Sequence, residues 1–215
     1  MAKAMARMIW VLACIGAAHA QVPQASSLDA AKLQAMLGPD LELVQRIDAQ
    51  LNDDREIDTI YLARGGDGYR VGVILAYRSE GEFVHDALHP LALTERPELA
   101  LREEVLIVHR PSMGTAATTA TLRYRYDPHE HEMLLIGLDA GRDGGIGAST
   151  GLRLDWNLLT GEHVVWRGRR APGVGAVDPD GQPERSVRTS KPVWMVHTPD
   201  PDALLDAADA GESRG

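Results

Sequence analysis

Between residues 41 and 166 the chain is cut into short apolar runs by Gly, Asp, Asn and Pro, and no helical period recurs between the runs. Runs of this length bounded by turn residues make strands. Without recurring helices there are no crossover connections, so a doubly wound α/β fold is excluded as the simple reading. The strand candidates are 41–47, 57–63, 69–77, 105–109, 118–126, 133–138, 152–157 and 163–166. In the fifth run Leu122, Tyr124 and Tyr126 share one face, and Thr121, Arg123 and Arg125 share the other. One wet face suits an antiparallel sheet. Hairpins are expected at Arg64-Gly65-Gly66-Asp67-Gly68, at Asp127-Pro128-His129-Glu130 and at Leu158-Leu159-Thr160-Gly161. The expected fold is mainly β, an antiparallel sheet or a sandwich of hairpins with a short N-terminal helix, with α+β as the alternative.

That helix opens near Ala25-Ser26-Ser27-Leu28-Asp29, where Ser26 and Asp29 are spaced as a capping box, and stops at Gly38-Pro39. The segment 85–101 is ambiguous, with two prolines and a possible helical turn at 98–101. The chain then divides into a leader (1–20), a helix and linker (21–40), a β-rich domain (41–168), a Gly/Pro-rich segment (169–198) with a last strand expected at 192–196, and an acidic tail (199–215) expected to be disordered.

Lys3 and Arg7, an apolar core and Ala18-His19-Ala20 describe a secretory signal peptide cut after Ala20, too short to span a membrane. A periplasmic or secreted location follows, with no transmembrane segment in the mature chain. The alternative is a lipoprotein anchored through Cys14. Cys14 is the one cysteine in the chain, so after cleavage at Ala20 no disulfide is available. The formal charge of −9 deepens by two when Lys3 and Arg7 leave. An acidic chain is a poor partner for nucleic acid or anionic lipid.

Gln50-Leu51-Asn52-Asp53-Asp54-Arg55-Glu56-Ile57-Asp58 sets oxygen-bearing groups at alternate positions ahead of an apolar strand. Calcium takes six to eight oxygens from loops so spaced, which makes Gln50, Asn52, Asp54, Glu56 (through its carbonyl) and Asp58 the metal candidates. A second register starts at Asp48. Neither has glycine where the loop bends; Arg55 stands there in the first register, and the plain alternative is an acidic turn. The cofactor expectation is accordingly none, or weakly bound calcium.

This stretch resembles the D-x-N-x-D-G-x-x-D segment of FG-GAP and VCBS-type repeat proteins. Leu134-Leu135-Ile136-Gly137 and Asn157-Leu158-Leu159-Thr160-Gly161 are similar to later segments of small exported bacterial proteins carrying one such loop. The resemblance spans about 41–168. It implies a β-rich exported protein without an assigned activity.

Other chemistry is sparse. His129-Glu130-His131-Glu132 could offer metal ligands, or form a polar hairpin tip. Gly141-Arg142-Asp143-Gly144-Gly145-Ile146-Gly147 lacks the Gly-Lys-Ser/Thr of a phosphate loop, and the chain has no G-x-S-x-G elbow. Trp156, Trp166 and Trp194 either line a ligand groove or pack on the sheet. The functional expectation is a non-enzymatic module binding a protein or an envelope component. The alternative is an envelope hydrolase with a carboxylate/His site, and oligomeric state is left open.

Overall fold

The computed structural model describes residues 28–111, 118–143, 150–170, 177–178 and 183–210. The leader 1–20 and residues 144–147 of the glycine-rich run from Gly141 lie outside them. Two antiparallel sheets carry the fold, as the alternating runs require. Sheet A holds β1 (Glu42–Ala49), β2 (Asp58–Gly65), β3 (Gly68–Ser79) and β4 (Glu82–Ala87) in that order, and the short β5 (Leu91–Leu93) pairs with β3. Sheet B is built from β6 (Glu98–Arg102), β7 (Val105–Arg110), β8 (Thr118–Asp127), β9 (Glu132–Asp143), β10 (Thr150–Asn157), β11 (Glu162–Arg170) and β12 (Val177–Asp178), neighbours in sequence being neighbours in space. β13 (Glu184–Val187) also pairs with β11.

One apolar cluster joins the sheets: Ile60, Leu62, Val71 and Val73 from sheet A meet Leu106, Leu122, Tyr124 and Leu138 from sheet B. A second cluster lies on the far face of sheet A, where Leu28 and Leu33 of the α1 region (Ala30–Leu37) cover Tyr61, Ala63 and Ile74. β2 is therefore buried on both faces, which explains its unbroken apolar run. β8 has only one covered face and alternates. Ser26 of the expected capping box lies outside the described residues; Asp29 is the N-cap of α1, accepting from Lys32 N at 2.8 Å, and Gly38 closes it at φ 83°.

The turns use the expected chemistry. Gly68 has φ 125°, and a Cβ there would stand 2.3 Å from the Leu93 carbonyl oxygen, so both backbone angle and the approach of β5 demand glycine. Asp127 Oδ1 accepts from His129 N (2.8 Å), and Asn157 Oδ1 accepts from Leu159 N (3.0 Å) and Thr160 N (3.1 Å).

Three expectations are corrected. The helical turn at 98–101 is strand β6, because Leu99 and Leu101 alternate inward while Glu98, Ala100 and Arg102 face out. The last strand at 192–196 shrinks to a single bridge, Trp194 to Leu134, followed by a 3₁₀ turn at Met195–His197. The acidic tail holds helix α2 (Pro201–Asp209), capped by Asp200. Composition alone suggested disorder, but Leu205 and Ala208 enter the core while Asp202 and Asp206 reach Arg142 on β9.

Candidate functional site on the outer face of sheet B

The calcium-like loop is held mainly by its own backbone. Asn52 Oδ1 accepts from Asp54 N (3.2 Å), and Asp54 Oδ1 accepts from Glu56 N (2.8 Å). Arg55 takes φ 70° at the position where the repeat loops have glycine. Asp58 is fully buried, and its two oxygens accept from Leu51 N and Ala76 N, each at 2.9 Å. Burial pushes its carboxyl up to about 6, against the pull of those two amides. Glu56 Oε1 accepts from Arg78 Nε at 2.9 Å, and Gln50 is exposed at the end of β1. Asp58 thus ties the loop to β3 and Asp54 braces the turn, so the candidate carboxylates are already engaged where a cation would need six to eight oxygens. In the second register Asp48 is engaged by Arg46 and by the Thr59 hydroxyl at 2.9 Å.

The His129–Glu132 motif is dispersed. His131 Nδ1 lies 2.9 Å from the Tyr126 hydroxyl, while Glu132 pairs with His89. Among the described residues no group of three or more His, Cys, Asp or Glu is arranged to hold a metal ion.

A cluster that sequence reasoning missed lies on the outer face of sheet B. Register sets Glu98 beside His109, His109 beside Thr121, Thr121 beside Asp139, and Asp139 beside Asp155, one residue from each of five adjacent strands. His109 Nδ1 and Thr121 Oγ1 are 3.1 Å apart. Arg123, one pleat along β8, donates from Nη2 to Asp139 Oδ2. It lies across β9 because Gly137 has no side chain: a Cβ there would meet Arg123 Nη1 at 3.0 Å. The Asp155 carboxyl is raised, first by burial and then by the negative charge of Asp139, against the opposing charges of Arg123 and Arg153.

Two tryptophans mark the ends of this face. Arg153 stands over the Trp166 ring with its guanidinium carbon 5.4 Å from the centroid. Trp194 pairs with Leu134, and because Val193 packs on the core and Met195 is buried, Trp194 shares the outer face. Trp156 is different: it points inward and meets His163 edge-on at 5.9 Å. Burial, and then Arg188, holds His163 below the usual imidazole range.

The Thr121, Arg123, Arg125 face was visible in the alternation of β8. The carboxylates were not, because Asp139 falls one residue past the expected end of its strand and its partner Asp155 is fixed only by register. The chain matches no family model, and no curated protein or solved structure shows significant similarity to it. Among the described residues no helix is long and apolar enough to cross a membrane.

Proposed function

We propose that this chain is an exported, non-enzymatic binding module for a protein or envelope component, and that its contact surface is the outer face of sheet B. The observation that carries this reading is the polar row from Glu98 to Asp155, which lies on a sheet face with no described element packed over it. A flat face offers broad contact but cannot exclude water from a reacting bond, as catalysis by positioned acids requires. The signal-like leader and the likeness of the Gln50–Asp58 stretch to FG-GAP and VCBS loops support export and a β-rich binding role. Nucleic acid is a poor partner for a chain of net charge −9. The loop is a structural turn that gives calcium at most a weak site.

Co-sedimentation with envelope from producing cells tests the reading. Gly141 lies on the outer face, and a Cβ there would meet Thr119 Oγ1 at 3.5 Å and the Leu152 carbonyl oxygen at 3.9 Å, ordinary contacts. Gly141→Arg therefore fills the face without breaking the sheet. Wild type should pellet with the envelope and Gly141→Arg should stay in the supernatant with an unchanged Tm; equal pelleting contradicts the reading.

The hydrolase alternative has one observation in its favour, the raised acid Asp155 beside Asp139. The two are direct cross-strand partners on β9 and β10, a like-charge pair of the kind that raises one of its acids. Release of soluble fragments from envelope by wild type but not by Asp155→Asn would favour the hydrolase.

A further inference from the structure

A cavity of about 230 Å³ lies where the two sheets meet the chain leading into α2. β5 supplies one wall through Leu91 and Leu93, the inner face of sheet B a second through Leu122 and Arg110, and the turn 198–201 a third. It is smaller than the ~300–1,000 Å³ of sites for drug-sized ligands, which limits it to a small molecule.

Three arginines stand at this end of the inner face: Arg110 on β7, Arg142 on β9 and Arg167 on β11. Arg142 bonds Asp202 at 3.2 Å and Asp206 at 2.5 Å, and Arg167 bonds Glu184 at 2.6 Å. Arg110 differs. Its side chain is 22 % exposed, and among the described residues its one ion-pair partner is Asp200 Oδ1 at 3.7 Å, beyond hydrogen-bond reach. That oxygen accepts from Asp202 N at 3.2 Å as the cap of α2, and Oδ2 of Asp200 has no partner among the described residues. The cavity thus sets a positive and a negative group side by side, neither satisfied by the other, among aliphatic walls.

The third wall is fixed in place. Thr198 Oγ1 donates to Met195 O at 2.7 Å and so accepts from the buried Tyr124 hydroxyl, 2.8 Å away. Pro199 and Pro201 lock their own φ angles, and Met195 and Pro201 are buried. A preformed site spends little of its binding energy on ordering.

We propose that this cavity binds a free aliphatic α-amino acid, its carboxylate on Arg110, its ammonium on Asp200 and its side chain among Leu91, Leu93 and Leu122. A zwitterion carries both charges on one carbon, as the adjacent guanidinium and carboxylate require. A simple anion would leave Asp200 opposing it, and a simple cation would meet Arg110. A peptide holds its end charges further apart. The site is on the inner side of sheet B and stands independently of the outer contact face.

Isothermal titration of the full chain with L-leucine tests this, beside isocaproate, which lacks the ammonium, isoamylamine, which lacks the carboxylate, and the dipeptide leucyl-leucine. L-Leucine should bind, and each of the others should bind at least about tenfold more weakly, the loss of one charge-assisted contact. Arg110→Met keeps the aliphatic stem, and Asp200→Asn keeps the helix cap, since asparagine caps as well as aspartate. Each should weaken leucine binding by the same factor, and Asp200→Asn should leave the unliganded Tm unchanged, so it decides the question if Arg110→Met fails to fold. No binding of leucine by wild type, equal binding of any of the other three compounds, or undiminished leucine binding in Asp200→Asn overturns the proposal.

Discussion

Asp58 shows how one side chain fixes a loop that could be taken for an ion site. Its two oxygens satisfy amides from β3 and from the loop, groups that would be costly to bury unpaired. Its carboxyl is raised from 3.8 to about 6 by burial. The folded state then holds a proton that the unfolded chain releases, so Asp58 favours folding below about pH 4, and this contribution is lost as pH rises through 6. The shift corresponds to about 3 kcal/mol at 1.36 kcal/mol per unit. Urea unfolding of wild type and Asp58→Asn should show their stability difference moving toward wild type by that order as pH falls from 6.5 to 4. A flat difference would mean that Asp58 does not carry this burial cost. Excess calcium should leave the wild-type midpoint where chelator leaves it, since the fold of the loop is supplied by amides.

Elements with a strong local signal were legible. The Gly-rich turn before β3, the Asp-Pro turn before β9 and the alternation of β8 each carry their own chemistry within a few residues. The β6–β7 hairpin turns at Glu103 and Glu104, with φ 47° and 65°, where glycine or asparagine would have marked it; two glutamates gave no sign. Helix α2 was hidden for a different reason. Its acids look like a solvated tail until Arg142 is seen bonding Asp202 and Asp206 from β9, and Thr118 bonding Asp202 at 2.5 Å. Packing outweighs these charges. Leu205 is wholly buried, so Leu205→Ala should cost about 2–5 kcal/mol. The acids paired with Arg142 are 46 % and 71 % exposed, so Arg142→Ala should cost under about 1 kcal/mol. Urea midpoints at constant m would show this order, and an unchanged midpoint in Leu205→Ala would mean that α2 does not dock.

At the scale of the molecule, two sheets close one core, α1 seals the far side of sheet A, and α2 adds to the inner side of sheet B. The outer face of sheet B has no described element packed on it. The sequence showed that such a wet face exists, through Thr121, Arg123 and Arg125, but not which residues share it. Thr121 meets Asp139 and Asp139 meets Asp155 only through pairings between separate strands, and a single chain read in order does not display them. The central claim is that this face makes the contact. Hydroxyl-radical footprinting of the full chain, alone and with envelope, measures it most directly. The account predicts protection of Trp166 and Trp194, with Met36 on α1 labelled as before. Protection gathered on α1 and sheet A, with both tryptophans unchanged, would contradict it.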